Sequence, residues 1–506
     1  MGRGLYTLAV VADLVLRGGQ VYTVDAARSW ATSVAIKDGR IVSAGDDRQV
    51  TASVGPKTRV LELGGRMVLP GFHDSHMHPV TGGLRLIRCR LDDATTGDQL
   101  AAAVRACAAA SPGSGWLIGN GWDPRLSISE TLMPDRPLYL ATADGFTAWV
   151  NAKALALASM SDQKPGVLRG EAVNRMRRKI PPATPAEYRE GLRRALAMAN
   201  RFGITSLYDG AADEKVLEQY LSADLTVRVV ASQRVDPTRG AGQVSELIAR
   251  RDRYRSQRLR ADAAKIFLDG EFQQLTAALL EPYATKPDTR GALNAEPAVL
   301  DPLVQRLDAE GFQVHLHVVG DRAVRVALDA FARAQAANGP RDRRHHLSHG
   351  ELIDPADLPR FRQLGVAANV QPRLAFDGPY LAEVAPLLGA DRAGRLLPLE
   401  RLFSSGAMVV TSSDWPAPSM NPLEIIQAGL AHARLPELIA AYTIDGAWLA
   451  RNERITGSIE AGKAADLVVL DRNLFEVSPS ELQHVRVLLT LLDGRPVYQD
   501  PTWPGR

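Results

Sequence analysis

The sequence predicts an α/β chain built on an eight-stranded parallel (β/α)₈ barrel of the TIM type. A small β-sandwich domain formed from both chain ends and an inserted subdomain after the first barrel strand complete the prediction. Three observations carry it. Short apolar, β-branched runs recur through the middle of the chain, each followed by a helical pattern, which is the alternation of βα units around a parallel sheet. Eight such runs can be counted: MVLPGFHDSH, GITSLYDG, LTVRVVASQ, AAKIFLDG, FQVHLHVVG, RHHLSHG, GVAANVQP and AMVVTSSD. The two ends of the chain, by contrast, read as β-rich segments with turn signals.

The N-terminal segment alternates LVLRGGQVYTV, SVAIKDGRIVSAG and RVLELGGRMVLPG, with a hairpin turn at Lys37-Asp38-Gly39-Arg40, and reads as a small antiparallel sheet. From Gly457 onward GSIEAGKAADLVVLD and RVLLTLLDGRPVYQ have the same character, with a second turn at Asp493-Gly494. Residues 1–70 and 453–506 are therefore assigned to the β-sandwich domain and 71–452 to the barrel. The barrel span exceeds the roughly 250 residues usual for that fold. The surplus lies between the first two strand candidates, from His78 to Gly203, where GWLIGNGWDP and MPDRPLYL are rich in Trp, Pro and Gly. We place an inserted subdomain at about 80–200, expected over the barrel mouth.

Composition excludes several function classes. The 506-residue chain is 45% hydrophobic, and its 60 Lys plus Arg nearly balance 57 Asp plus Glu, so it lacks the basic surplus that nucleic acid or an anionic membrane requires. The N-terminal apolar run is broken by Asp13 and Arg17, and no uncharged run reaches the roughly 18 residues of a membrane span, so neither a secretory leader nor a membrane anchor is expected. Cys89 and Cys107 are too few for a disulfide framework and stand in no CxxC spacing, which favours a reducing, cytoplasmic setting.

Chemistry concentrates at the predicted strand ends. His76 and His78 form a His-Met-His triplet after the first strand, where residues two apart share a face. The chain has ten histidines, and His315, His317, His346 and His349 also fall on or at the end of strands. The eighth run ends in Ser412-Ser413-Asp414, which brings a carboxylate to the same barrel face, where active sites of this fold lie. Imidazole and carboxylate together suit a borderline metal such as Zn²⁺, with one coordination position left open for water. His73 lies off the His76 face and is read as structural or solvent-facing, His315 as a hydrogen-bonded packing residue one layer deeper than His317, and His345 and His346 match no ligand position.

PGFHDSHMHP, KIFLDGEF, HVVGDRAV, HLSHGELID, SSDWPAPSMNPLE and GSIEAGKAADLVVLD resemble, in order, the motifs of amidohydrolase family 3 in the amidohydrolase superfamily, the branch containing N-substituted formamide deformylases. The resemblance runs from about Asp13 to Val497. It implies His76 and His78 as first-strand ligands, Lys265 on the fourth strand, His317 on the fifth, His349 on the sixth and Asp414 on the eighth. One or two divalent ions, Zn²⁺ by type, are implied, and Lys265 is a candidate for carbamylation. The alternative for Lys265 is an ion pair with Asp269 or Glu271.

The activity implied is hydrolysis of a non-peptide C–N bond in a small amide, formamide or carbamate-like molecule. A metal lowers the pKa of its bound water from about 15.7 towards roughly 7, Asp414 acts as general acid and base, and His349 or His317 polarises the carbonyl. Trp122, Asp123 and the position of Phe146, where the family usually has histidine, are expected in the substrate pocket, and the insert is shortened between Ser159 and Pro181. Core packing of the insert is the alternative for Trp122. Asp321 is expected either to anchor its loop or to orient His317. A homo-oligomer such as a dimer is the expected assembly. The alternative activity is that of a metal-dependent lyase, decarboxylase or isomerase on the same barrel, and a third reading is a non-catalytic binding or regulatory protein.

Overall fold

A computed structural model describes residues 10–143, 145, 147–376, 378–417 and 419–503, in two compact units. The larger comprises Met1–Met77, Ala197–Asp414 and Ser419–Arg506, and the smaller His78–Leu196 with Trp415–Pro418.

The larger unit holds eight parallel strands: β1 (Phe72–Met77), β2 (Ile204–Ala212), β3 (Arg228–Arg234), β4 (Leu259–Phe267), β5 (Gln313–Val318), β6 (His346–His349), β7 (Ala367–Val370) and β8 (Met408–Thr411). They pair in sequence order, β1 with β2 through to β7 with β8. Beyond the last strand the chain returns to the first: the Asp414 N–H donates to His76 O at 2.8 Å and the Ser413 N–H to Asp74 Oδ1 at 3.1 Å. Each of the eight expected runs overlaps one of these strands. Their legibility has a simple cause. Parallel strands in such a barrel are covered on both faces, so they read as continuous apolar runs, and every residue of β1, β5, β6 and β7 is buried.

Strands from both chain ends form two further sheets in the same unit. One orders Arg40–Gly45, Ser33–Lys37, Leu14–Arg17 and Arg59–Glu62; the other orders Arg495–Gln499, Val487–Leu492, Leu467–Leu470, Met67–Pro70, Gln20–Tyr22 and Trp30–Ala31. Leu16, Ile36 and Leu61 of the first bury together with Val68, Leu467 and Leu489 of the second. The turns at Asp38-Gly39 and Asp493-Gly494 close antiparallel hairpins, with positive φ at both residues of each, the backbone a two-residue loop requires. The N-terminal segment departs from the single antiparallel sheet expected of it. Leu14–Arg17 pairs parallel with Arg59–Glu62, and Gln20–Tyr22 parallel with Met67–Pro70, so the segment divides between two sheets.

The smaller unit carries a five-stranded sheet of Gly166–Arg169, Thr147–Val150, Leu138–Ala141, Leu117–Asn120 and Cys89–Arg90. Helix Gly97–Ala110 presents Leu100 and Val104 to a core that includes Leu117, Trp122 and Leu138. Cys89, on the edge strand, and Cys107, on that helix, form a disulfide with a Cα–Cα distance of 5.5 Å. The pair makes one bridge and no framework, and spacing in sequence does not reveal that a strand and the helix packed on it bring two thiols within bonding reach. No helix among the described residues is long and apolar enough to cross a membrane.

Candidate metal centre

At the C-terminal ends of the barrel strands, His76 on β1, His349 at the end of β6 and Asp414 just beyond β8 each offer a ligand atom, and these atoms lie within 4.8 Å of one another. Nε2 of His76 is 3.2 Å from Oδ1 of Asp414. Both His349 (φ 74°) and Asp414 (φ 53°) sit in the left-handed region, which L-residues with side chains seldom adopt and which clusters at functional sites. The 2.8 Å backbone bond from Asp414 N–H to His76 O fixes the carboxylate beside the imidazole.

His317, on β5, stacks edge-on against His349 with ring centroids 4.4 Å apart. Its Nε2 is buried without a hydrogen-bond partner among the described residues, and Oε1 of Glu271 lies 3.6 Å away. Burial holds the His317 ring neutral, its pKa pushed down to about 3, which leaves a lone pair on the ring. A buried imidazole nitrogen without a partner beside two imidazole and carboxylate donors is a set that fits a divalent cation.

Lys265, on β4, is fully buried. Its ammonium donates to Ser348 Oγ at 3.1 Å, and Nζ is 3.2 Å from Nε2 of His315 and 5.0 Å from the Phe267 ring centre. Burial pushes its pKa down to about 7. Of its two alternative partners, Asp269 is engaged elsewhere. It accepts from the backbone N–H groups of Ala278, Val319 and Gly320 at 2.9, 3.0 and 2.9 Å, and pins the loop after β4 to the end of β5. Gly320 permits that approach, since a Cβ there would stand 2.1 Å from Ala278 O.

The remaining candidates are distributed as follows. β1 ends at Met77, so His78 lies beyond the strand, at the cap of helix Pro79–Ile87, with its N–H donating to Trp415 O at 2.8 Å. The two-residue alternation that would aim His76 and His78 alike stops one residue short, because Pro79 starts a helix. Trp122 is packed in the core of the smaller unit, its indole N–H donating to Leu126 O at 3.4 Å, the placement of a core residue. Asp123 is paired with Arg125 at 2.7 Å. Phe146 lies outside the described residues. Asp321 opens helix Asp321–Asn338 and accepts from the N–H groups of Leu280 and Arg322 at 2.8 and 3.0 Å, which anchors the loop. His345 is structural: its Nδ1 accepts from Val314 N–H at 3.0 Å and its Nε2 is 3.3 Å from Asp308.

The roles of three acids are not legible in the sequence. Asp74 ties β1 to the end of β8 through the N–H groups of His76 and Ser413, at 3.2 and 3.1 Å. Asp269 is the loop clamp just described. Glu351, two residues past His349, accepts from the Tyr380 hydroxyl, and burial pushes its pKa up to about 7. The available signal was an acid inside or beside each motif, in FHDSH, FLDGEF and SHGEL.

A sequence profile of the amidohydrolase family matches residues 59–498. The chain belongs to the amidohydrolase family. This amidohydrolase is 28% identical to Protein LONG AFTER FAR-RED 3 of Arabidopsis thaliana, over 97% of its own length and 92% of that protein. It is 26% identical to the amidohydrolase YtcJ of Bacillus subtilis, over 96% and 99% of the two chains. Against the N-substituted formamide deformylase of Arthrobacter pascens the identity is 25%, over 95% and 97%. Among solved structures, an uncharacterized metal-dependent hydrolase of Pyrococcus furiosus superposes with a TM-score of 0.76 at 25% identity, covering 91% of this chain and 99% of that one. The chain is thus a hydrolase of this family.

Proposed function

We propose that this amidohydrolase cleaves a non-peptide C–N bond in a small amide, formamide or carbamate-like substrate, using a divalent ion, Zn²⁺ by donor type, held by His76, His349 and Asp414. The convergence of those three donors within 4.8 Å at the barrel's strand ends carries the reading. His317 supplies a further imidazole, and His78 and Lys265 are the remaining members of the ligand set that the family motif implies. When bound, such an ion acidifies water and polarises a carbonyl.

The chain's own residues do the rest. Asp414 takes the proton of the attacking water on its carboxylate and returns it to the departing nitrogen. His349 or His317 polarises the substrate carbonyl. Lys265, kept neutral above about pH 7 by burial, is a nucleophile for CO₂. Its nitrogen bonds the carbon and loses a proton, which turns a cation into a carboxylate donor.

The test is elemental analysis of purified protein combined with amine release from a panel of N-substituted formamides and anilides, with and without chelator. Amine released only when the protein is metal-loaded supports the reading. Stoichiometric metal with substrate consumed by C–C cleavage and no amine released would transfer the chain to the lyase alternative. Less than about half an equivalent of metal after supplementation would favour a binding protein.

A further inference from the structure

From the donor set a row of polar atoms runs back into the barrel to two residues, His315 and Ser232, that the proposed chemistry leaves unused. Oδ1 of Asp414 is 3.2 Å from Nε2 of His76. Nδ1 of the same ring is 3.0 Å from Nε2 of His315, and Nδ1 of His315 is 2.9 Å from Oγ of Ser232 on β3. His315 and Ser232 are wholly enclosed, and His76 nearly so.

A neutral imidazole carries one proton, so each ring donates from one nitrogen and accepts at the other. The row therefore has two self-consistent directions. In the first, the Ser232 hydroxyl donates to His315, His315 donates to His76, and His76 donates from Nε2 to Asp414. In the second, His76 donates from Nδ1 to His315 and His315 donates from its own Nδ1 to Ser232, which leaves a lone pair on Nε2 of His76. Only the second direction lets Nε2 ligate a cation beside Asp414. A serine suits the far end because a rotating hydroxyl donates or accepts equally well.

Two other groups reach Nε2 of His315: Nζ of Lys265 at 3.2 Å and Oγ of Ser348 at 3.0 Å. Both have acceptors elsewhere. Lys265 donates to Ser348 at 3.1 Å, and the Ser348 hydroxyl reaches Leu316 O at 3.2 Å, so neither needs the lone pair of His315, which His76 meets at 3.0 Å. The His315 ring is also fixed in place. It stacks on His346 at 4.0 Å, and Tyr208 closes edge-on at 5.8 Å.

The geometry points to His315 as a positioning residue that holds His76 in the tautomer whose Nε2 lone pair faces Asp414, with Ser232 as the switchable end of the row. This rests on the reading of His76 as a ligand.

The full-length chain, stripped with chelator, is titrated with Zn²⁺ against a chromophoric competitor. His315→Phe keeps a ring but offers no acceptor, and should lower Zn²⁺ affinity about 10- to 100-fold, the usual effect of losing the partner of a ligating histidine. His315→Gln places an amide oxygen near Nε2 and should recover most of that loss, which a purely structural role would not predict. In ¹⁵N-histidine-labelled, Zn²⁺-loaded wild type, the His76 ring should show its proton on Nδ1. His315→Phe binding Zn²⁺ as tightly as wild type overturns the inference, as does His315→Gln losing as much as His315→Phe. Should His315→Phe fail to fold, Ser232→Ala removes only the far acceptor: an affinity several-fold weaker supports the row, and an unchanged one overturns it. A wild-type chain that binds no Zn²⁺ overturns the ligand reading itself, whereas normal wild-type binding with an unaffected His315→Phe overturns only the role of His315.

Discussion

Asp414 is asked to be both a donor to the cation and the carrier of a proton, and Asp414→Asn separates the two tasks. The amide keeps an oxygen but cannot cycle a proton, so turnover should fall about 10²- to 10⁴-fold while Zn²⁺ content holds, measured by amine release and elemental analysis on one preparation. Lys265 gives a pH signature. Because burial depresses its pKa to about 7, the folded chain binds fewer protons than the unfolded one between pH 7 and 10.5, and Lys265 makes stability rise with pH across that window. Lys265→Met should therefore stabilise the chelated protein most at pH 6, by roughly 4 kcal/mol, with the gain fading by pH 10. Urea titrations at the two pH values read it. At this scale the sequence places histidines and an acid at strand ends, and the structure draws His76, His349 and Asp414 together. The sequence suggests a hydrogen-bonded packing role for His315, but it could not name the partner, because Ser232 comes from another strand. Nor could it tell that β1 stops before His78.

Among the elements, the eight barrel strands were legible because two-sided burial writes itself as unbroken apolar runs. The parallel pairs in the N-terminal segment were not, since pairing across a long excursion leaves no local pattern; only the hairpins with Asp-Gly turns did. One helix-to-strand tie can be tested directly. Asp308, on helix Pro297–Ala309, meets Arg343 Nε at 2.8 Å, His345 Nε2 at 3.3 Å and Asn338 Nδ2 at 2.7 Å, which secures the segment leading into β6. Burial pushes the Asp308 carboxyl up, but hydrogen bonds from His345, Asn338 and Arg343 more than offset it and hold the group below the ordinary carboxylate range. The stability it contributes is present above about pH 4 and lost as pH falls through the depressed value. Asp308→Asn should cost about 3 kcal/mol at pH 7, with the gap to wild type closing only in strong acid, as followed by denaturant titration.

For the whole molecule, the two units answer to different reagents. A cation bound at the barrel ends stabilises by mass action, about 2.7 kcal/mol at a hundredfold excess over Kd, and the Cys89–Cys107 bond restrains the smaller unit by about 3 kcal/mol on a loop-entropy basis. Hydrogen exchange followed by mass spectrometry should separate them. Chelation is expected to raise exchange at the ends of β1, β6 and β8, and a reductant at Cys89–Arg90 and Gly97–Ala110. Matching responses to both reagents in both regions would contradict that division.

The six-stranded sheet has a consequence for how the chain is made. Met67–Pro70 leaves the ribosome about 400 residues ahead of its antiparallel neighbour Leu467–Leu470, so one edge of an apolar strand waits, on the order of tens of seconds, for its partner. Until then the nascent protein exposes a row of unpaired backbone groups, and shelter by a chaperone, or slow codons after the barrel, would govern yield more than the stability of the finished fold does.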